Sequence, residues 1–267
     1  MKQSLWVFIG LIVLIMAGCE ENIPSTSDSN TPSTNKNTAV GFSVSSSKRV
    51  IFSSGNLQYH PANNIWRFAT NQTDYVGEAN SNISSTYSGW VDLFSWNSST
   101  DKDDYNCLFV DWGINKIGNY APNTWRTLSY DEWYYLCWER ENHSILCGVA
   151  QVNGINGLIL LPDKWICPSD VIFKSGFYIN SSIDAYSRYQ TFSKEQWSKL
   201  ENRGAIFLPA AGMRAGSLVY GIQQIAGYWS STWNQIDQLA YYFIFSAQAI
   251  NMSPSGSALS VRLVKDL

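Results

Sequence analysis

Two histidines, five cysteines and an acidic cluster at Asp101-Lys102-Asp103-Asp104 are the residues through which this 267-residue chain could do covalent or metal chemistry. His60 stands before Pro61 in a turn-prone stretch, and His143 sits in the polar run Glu141-Asn142-His143-Ser144. Both read as exposed loop histidines. Neither serine-rich segment carries the strand–turn–helix pattern that presents a nucleophilic serine. Hard cations want clustered carboxylate oxygens at fixed spacing. Counted from Asp101, a calcium loop needs Gly at the sixth position and Glu at the twelfth, where this chain has Asn106 and Trp112. The acidic cluster therefore reads as a solvated loop.

Cys107, Cys137, Cys147 and Cys167 show neither a Cys-x-x-Cys pair nor the Cys/His spacing of a zinc site. Four cysteines in an exported domain permit three disulfide pairings. Cys137 and Cys147 could close a short loop, stabilising by about 2–3 kcal/mol, and buried free thiols are the alternative. No catalytic residue, metal site or cofactor is assigned.

Residues suited to non-covalent recognition gather between Tyr228 and Met252. Trp229, Thr232, Trp233, Asn234, Gln235, Tyr241 and Asn251 interleave aromatic rings with amides and hydroxyls, the composition that adaptable binding surfaces use. Successive residues of a strand point to opposite faces, so half of such a set can be displayed while the rest packs inward. These seven are the candidate ligand-binding residues.

Short strands are the commonest elements available to position them. Arg49 to Phe52, Val152 to Leu161 (two strands folded at Gly154 or Asn156-Gly157), Ala205 to Leu208, Ala240 to Phe245 and Ala258 to Val264 all read as strands between turn signals. Two stretches read as helices. Ser129 with Glu132, and Ser193 with Gln196, have capping-box spacing. Trp133 with Leu136, and Trp197 with Leu200, lie three apart and share one face. Both helices are expected to pack on one sheet core through the two tryptophans.

Composition suits a well-packed globule, with 45% hydrophobic, 15% aromatic and 15% charged residues. The aromatic load of 12 Trp, 15 Tyr and 12 Phe is large enough to place part of it at a surface. A net charge of −3 supplies no basic field for phosphate backbones, so nucleic acid is not an expected partner.

The N-terminus has Lys2, an apolar run from Leu5 to Met16, then Ala17-Gly18-Cys19 and Glu20-Glu21. A charged head, a short apolar run and small residues before a cut describe an export signal. Met16-Ala17-Gly18-Cys19 resembles the lipobox of bacterial lipoproteins, with Met16 where that pattern prefers Leu or Val. The resemblance implies that Cys19 becomes the lipidated mature N-terminus, held on a membrane by its acyl chains. Glu20-Glu21 resembles a short outward-delivery signal, implying an outer-membrane location facing outward. Asn22 to Thr38 is almost wholly Ser, Thr, Asn, Pro and Asp, too polar to fold, and reads as a tether. The expected organisation is a signal peptide over 1–18, lipidated Cys19 and tether over 19–39, and one globular domain over 40–267.

Within that domain, Trp125-Arg126-Thr127-Leu128-Ser129 followed by Glu132-Trp133 resembles the helix-opening motif of formylglycine-generating-enzyme and related C-type lectin-like domains. Gly204 to Gly212, Gly227-Tyr228-Trp229-Ser230-Ser231, Ser260-Val261-Arg262-Leu263-Val264, Asp74-Tyr75-Val76-Gly77 and Tyr87 to Phe94 resemble the major paralogous domain group of lipid-anchored bacterial surface proteins. The resemblance implies an α+β fold, a single C-type lectin-like domain of short antiparallel strands with two flanking helices. It also implies a ligand face on the C-terminal strands. The enzyme of that group works through redox cysteines near its C-terminal motif, and here no cysteine follows Cys167. Thiol catalysis needs a thiolate at the site, so enzymatic function is not expected. Sugar-binding members hold calcium with a Trp-Asn-Asp triplet, whereas Trp233-Asn234-Gln235 lacks the carboxylate. The reading that follows is a lipid-anchored binding or adhesion module, membrane-attached, with a glycan or protein as ligand. An extracytoplasmic enzyme of the same fold and a structural surface protein are the alternatives.

Overall fold

The computed structural model describes residues 41–96, 109–178, 184–236 and 238–267. Cys19, the tether, Cys107 and the Asp101–Asp104 cluster lie outside the described residues. In chain order the elements begin with β1 (Phe42–Ser43), β2 (Arg49–Phe52), β3 (Leu57–His60) and β4 (Ile65–Phe68), followed by α1 (Tyr130–Tyr134), β5 (Cys147–Val152) and β6 (Ile155–Leu160). Next come α2 (Ala185–Tyr189), β7 (Thr191–Phe192), α3 (Lys194–Glu201), β8 (Ile206–Pro209), β9 (Met213–Ala215) and β10 (Leu218–Tyr220). The chain finishes with β11 (Ile225–Asn234), β12 (Leu239–Ser246), β13 (Ile250–Ser255) and β14 (Val264–Asp266). This is an α+β arrangement of small, mainly antiparallel sheets, ordered β1-β2-β14, β3-β4, β7-β5-β6-β8, β9-β10 and β11-β12-β13. Among the described residues there is one α-helix more than the two expected, α2. Among the described residues no helix is long and apolar enough to cross a membrane.

The four-stranded sheet shows how the sequence builds the centre. β5 and β6 are joined by Asn153-Gly154, whose φ values of 48° and 82° are both left-handed. A two-residue hairpin needs that conformation at both positions, and Asn-Gly tolerates it best. The turn thus falls at Gly154 rather than Asn156-Gly157. Gly157 instead lies within β6, where an added Cβ would come 2.4 Å from the Leu208 carbonyl oxygen of β8. Period-two alternation sends Cys147, Val149, Leu158, Leu160, Ile206 and Leu208 to one core, and Ala150, Val152, Ile159 and Phe207 to another.

Both expected capping boxes are formed. The Ser129 hydroxyl accepts from the Glu132 amide and the Glu132 carboxylate accepts from the Ser129 amide; Ser193 and Gln196 make the same reciprocal pair. Trp133 belongs to the first core and Trp197 to the second. The two tryptophans thus lie in separate cores, with Trp133 set against β11 and β12, which corrects the expectation that both helices pack on one sheet core. A third core is aromatic, built from Trp66, Phe94, Trp96, Trp112, Trp125, Trp229 and Tyr242. Much of the tryptophan thus serves packing rather than display.

Ala258 to Val264 is not one strand, as expected, but a buried connector. Leu259 pairs with Phe94, the Ser260 carbonyl accepts from Trp229, the Val261 carbonyl from Leu57, the Leu263 carbonyl from Ser53, and Val264 pairs with Arg126. Only Val264 enters a regular strand, β14. Ala258 also pairs with Arg214, and a segment whose hydrogen bonds go to six separate places cannot settle into a single ladder. The N- and C-terminal ends of the domain meet beside it, with β1 and β14 flanking β2.

Candidate functional site

The candidate residues sit on the β11–β12 hairpin and its edge strand β13. Register runs from Ile225↔Ser246 to Trp229↔Tyr242, then resumes at Trp233↔Ala240, so β11 carries extra residues between Trp229 and Trp233. Such a bulge re-aims side chains locally. On either side of it, Tyr228, Phe243 and Phe245 face the first core, while Trp229, Ala240 and Tyr242 face the aromatic core. Both faces of this hairpin are covered over most of its length.

That sandwiching corrects two of the seven candidates. Trp229 is 1% exposed and Asn234 is 7% exposed. The Trp229 indole N–H donates to the Phe94 carbonyl at 2.6 Å, which places it as a core strut. The Asn234 side-chain oxygen accepts from the Ile236 amide at 2.9 Å and shapes the hairpin turn. Thr232 is half-buried, and its hydroxyl accepts from the Tyr130 amide at 2.9 Å, satisfying one of the donors left open at the start of α1. Trp233 is half-buried against Trp96, centroid to centroid 5.4 Å, at the margin of the aromatic core. Gln235 and Asn251 are exposed, Gln235 at the hairpin tip and Asn251 on β13. Tyr241 is the ring that turns away from this group.

Tyr241 opens a row of rings that the sequence reading missed. Its centroid lies 4.6 Å from Tyr130. Tyr130 and Tyr134 follow with near-parallel planes, 12° apart at 6.1 Å, and Tyr134 and Trp138 with 24° at 5.3 Å. Tyr134 is 40% exposed, and Tyr130, Trp138 and Tyr241 are half-buried. Trp138 is anchored edge-on to Phe243 at 6.3 Å. Spacing of i, i+4, i+8 was the available signal, because such residues stack along one helix face.

Tyr130, Tyr134 and Trp138 span the junction where α1 passes into a π turn over Tyr135–Glu139. Four residues of α-helix advance about 40° beyond a full turn, so an i, i+4, i+8 stripe drifts round the axis. The wider π turn advances less per residue than an α turn. On the opposite side the same stretch buries Trp133, Leu136 and Cys137. Arg126 fastens the segment, donating to both Glu132 carboxylate oxygens at 2.7 and 2.8 Å and to Asp266 of β14 at 2.6 Å.

Electrostatics at the row are mildly acidic. Burial, then the hydroxyls of Tyr241 and Tyr134 and the Asp131 carboxylate, push the Tyr130 phenol above its ordinary value. The Tyr130 phenol therefore enters neutral pH as a protonated donor and acceptor. Asp131 and Glu139 are exposed, and no Lys or Arg lies between Ser129 and Glu139 or within β12 and β13.

The groups with reactive potential are elsewhere and quiet. Cys137 and Cys147 are free thiols in the first core. Burial pushes the Cys137 thiol well above its ordinary value and that of Cys147 up to about 11, so neither offers a thiolate at neutral pH. His60 closes β3, half-buried and edge-on to Trp90 at 5.2 Å, rather than lying in an exposed loop. His143 is half-buried with Nδ1 3.2 Å from the Arg140 carbonyl oxygen. Among the described residues no group of three or more His, Cys, Asp or Glu is gathered as metal ligands.

No protein-family model matches the sequence, and comparison with curated proteins and with solved structures gives no match.

Proposed function

We propose that this chain is a lipid-anchored extracytoplasmic binding or adhesion module, held at the outer membrane by Cys19 and facing outward. Its ligand face is the aromatic row on α1, its π turn and β12, with Gln235 and Asn251 as outlying polar residues. The observation that carries this reading is the row itself: four rings packed on one another at the margin of the first core, with Tyr134 exposed and the other three half-buried. Rigid amphipathic rings with polar tips give contact area at small entropic cost, the property that makes Tyr and Trp the usual anchors of recognition surfaces. The motifs around Ser129 and Gly227, together with the two capped helices, support the C-type lectin-like variety of α+β fold for the head.

Two measurements test the reading. Cells fed labelled fatty acid are expected to incorporate it into the wild-type protein and not into Cys19→Ser, because a hydroxyl cannot form the thioether that carries the lipid. Label persisting in the variant would refute the anchor. The head, residues 40–267, is expected to bind specific spots on combined glycan and surface-protein arrays and to sediment as a discrete species. Self-association with a blank array would replace the binding reading with a structural one.

A further inference from the structure

Resting on the lipid anchor of the reading above, we propose that the loop from Lys164 to Lys174 is a second membrane contact, lying on a bilayer surface with anionic headgroups. The loop is two-sided and nearly mirror-symmetric in sequence, Lys164-Trp165-Ile166-Cys167 against Val171-Ile172-Phe173-Lys174. Trp165, Val171 and Phe173 pack inward on the second core, with Trp197 and Leu200 of α3. Their neighbours Lys164, Ile166, Ile172 and Lys174 are exposed, Ile166 by 68% and Ile172 by 82%. The Cys167 thiol donates to the Val171 carbonyl at 3.2 Å. The two halves of the loop thus close on each other, and the two isoleucines stand one residue outside that closure.

Exposed aliphatic side chains flanked by lysines suit a bilayer interface, where the apolar tips enter the acyl boundary and the ammonium groups meet phosphates. The nearby carboxylates are already engaged: Asp170 is paired with Lys199, and Asp163 with Arg49 and Arg140. Lys164 and Lys174 stand outside every ion pair among the described residues. Ile236 is more exposed still, at 92%, but its neighbours are Gln235 and Asp237 and no lysine flanks it.

The point where the chain enters the head selects the bilayer as the occupant. The Gly41 carbonyl accepts from the Asp163 amide at 3.2 Å, and Ser43 donates to the Asp163 carboxylate from its amide and its hydroxyl at 3.0 and 2.8 Å. The head is therefore joined to the Cys19 side of the chain beside the start of this loop. A polar linker of about 22 residues, the separation of Cys19 and Gly41, has an r.m.s. span of about 25 Å. An acylated Cys19 then holds the loop at high local concentration against the bilayer. Contacts too weak to retain a free protein are enough to orient a tethered one.

Full-length acylated protein is reconstituted in vesicles of phosphatidylethanolamine and phosphatidylglycerol containing a photoreactive phospholipid, and cross-linked head peptides are mapped by mass spectrometry. Cross-links are expected to concentrate on 164–174 and to fall at least about fivefold in the double variant Ile166→Ser, Ile172→Ser. Lys164→Gln with Lys174→Gln should lower them about threefold. All four side chains are exposed, so both variants should keep the wild-type melting curve. The mature chain carrying Cys19→Ser, held on nickel-chelating lipid by an N-terminal His tag, should give the same map. Cross-links concentrated elsewhere, or unaltered in both variants, overturn the membrane contact and leave the anchor standing. Loop cross-links in the nickel-held chain, with no fatty acid on the wild type, overturn the anchor and leave the contact.

Discussion

Trp133→Ala is expected to destabilise the head by about 3–5 kcal/mol, the usual cost of truncating a buried tryptophan. Trp133 is 0% exposed. It stacks on Phe243 at 4.8 Å and 7°, touches Phe52 at 6.0 Å, and its indole N–H reaches the Trp229 carbonyl at 3.3 Å. One ring thus joins α1 to β2, β11 and β12. Truncation leaves a large void among residues held by one helix and two different sheets, which cannot collapse together to fill it. The melting temperature should fall by on the order of 10 °C for a domain of this size, and Trp133→Phe should recover part of that. A melting temperature unchanged by Trp133→Ala would contradict the placement of this helix.

The second large effect is a pH dependence centred on Asp92. This carboxyl is fully buried, with one oxygen accepting from the Asn80 amide and the other from the Val76 amide, both at 2.8 Å. Burial outweighs those hydrogen bonds and raises its pKa from 3.8 to about 6. The folded state therefore holds this proton through a range where the unfolded chain releases it. Stability from this group is greatest below about pH 4, declines as pH rises to about 6, and is flat above, with a total difference of about 3 kcal/mol. Asp92→Asn removes the titration. In urea unfolding, wild-type stability relative to Asp92→Asn should rise by about that amount from pH 7 to pH 4. A difference constant over this range would show that Asp92 does not titrate as described.

Local chemistry made the helices legible. A capping box and its buried aromatic are written within four residues, so Ser129–Glu132 and Ser193–Gln196 mark their helix starts whatever surrounds them. A hairpin in this stretch is legible for the same reason, but the sequence leaves its turn open between Gly154 and Asn156-Gly157 and starts its first strand at Val152, where the structure begins that strand at Cys147. The C-terminal connector is not. Apolar residues from Ala258 to Val264 resemble a strand until its hydrogen bonds are seen to reach Phe94, Trp229, Leu57, Ser53 and Arg126 in turn.

The burial of Trp229 and Asn234 is illegible in the sequence for a related reason. Alternation predicts display only when one face of a sheet meets solvent. β11 and β12 lie between two cores, so Trp229 was spent on packing and Tyr241 emerged beside a helix far away in sequence. A bulge between Trp229 and Trp233 shifted the remaining residues again. The stripe Tyr130, Tyr134, Trp138 was present in the sequence, overshadowed by the stronger apolar signal of Trp133 and Leu136 one face round.

The central claim is that recognition occurs on this aromatic row and not on the exposed polar residues Gln235, at the hairpin tip, and Asn251, on β13. The most direct test is the array signal of the head carrying Tyr134→Ala and Trp138→Ala, set beside a head carrying Gln235→Ala and Asn251→Ala. The account predicts that the first pair abolishes the specific signal while the second leaves it within about twofold, since residues at an interface rim contribute little. The reverse pattern, with signal lost at Gln235 and Asn251 and kept without the rings, would contradict it.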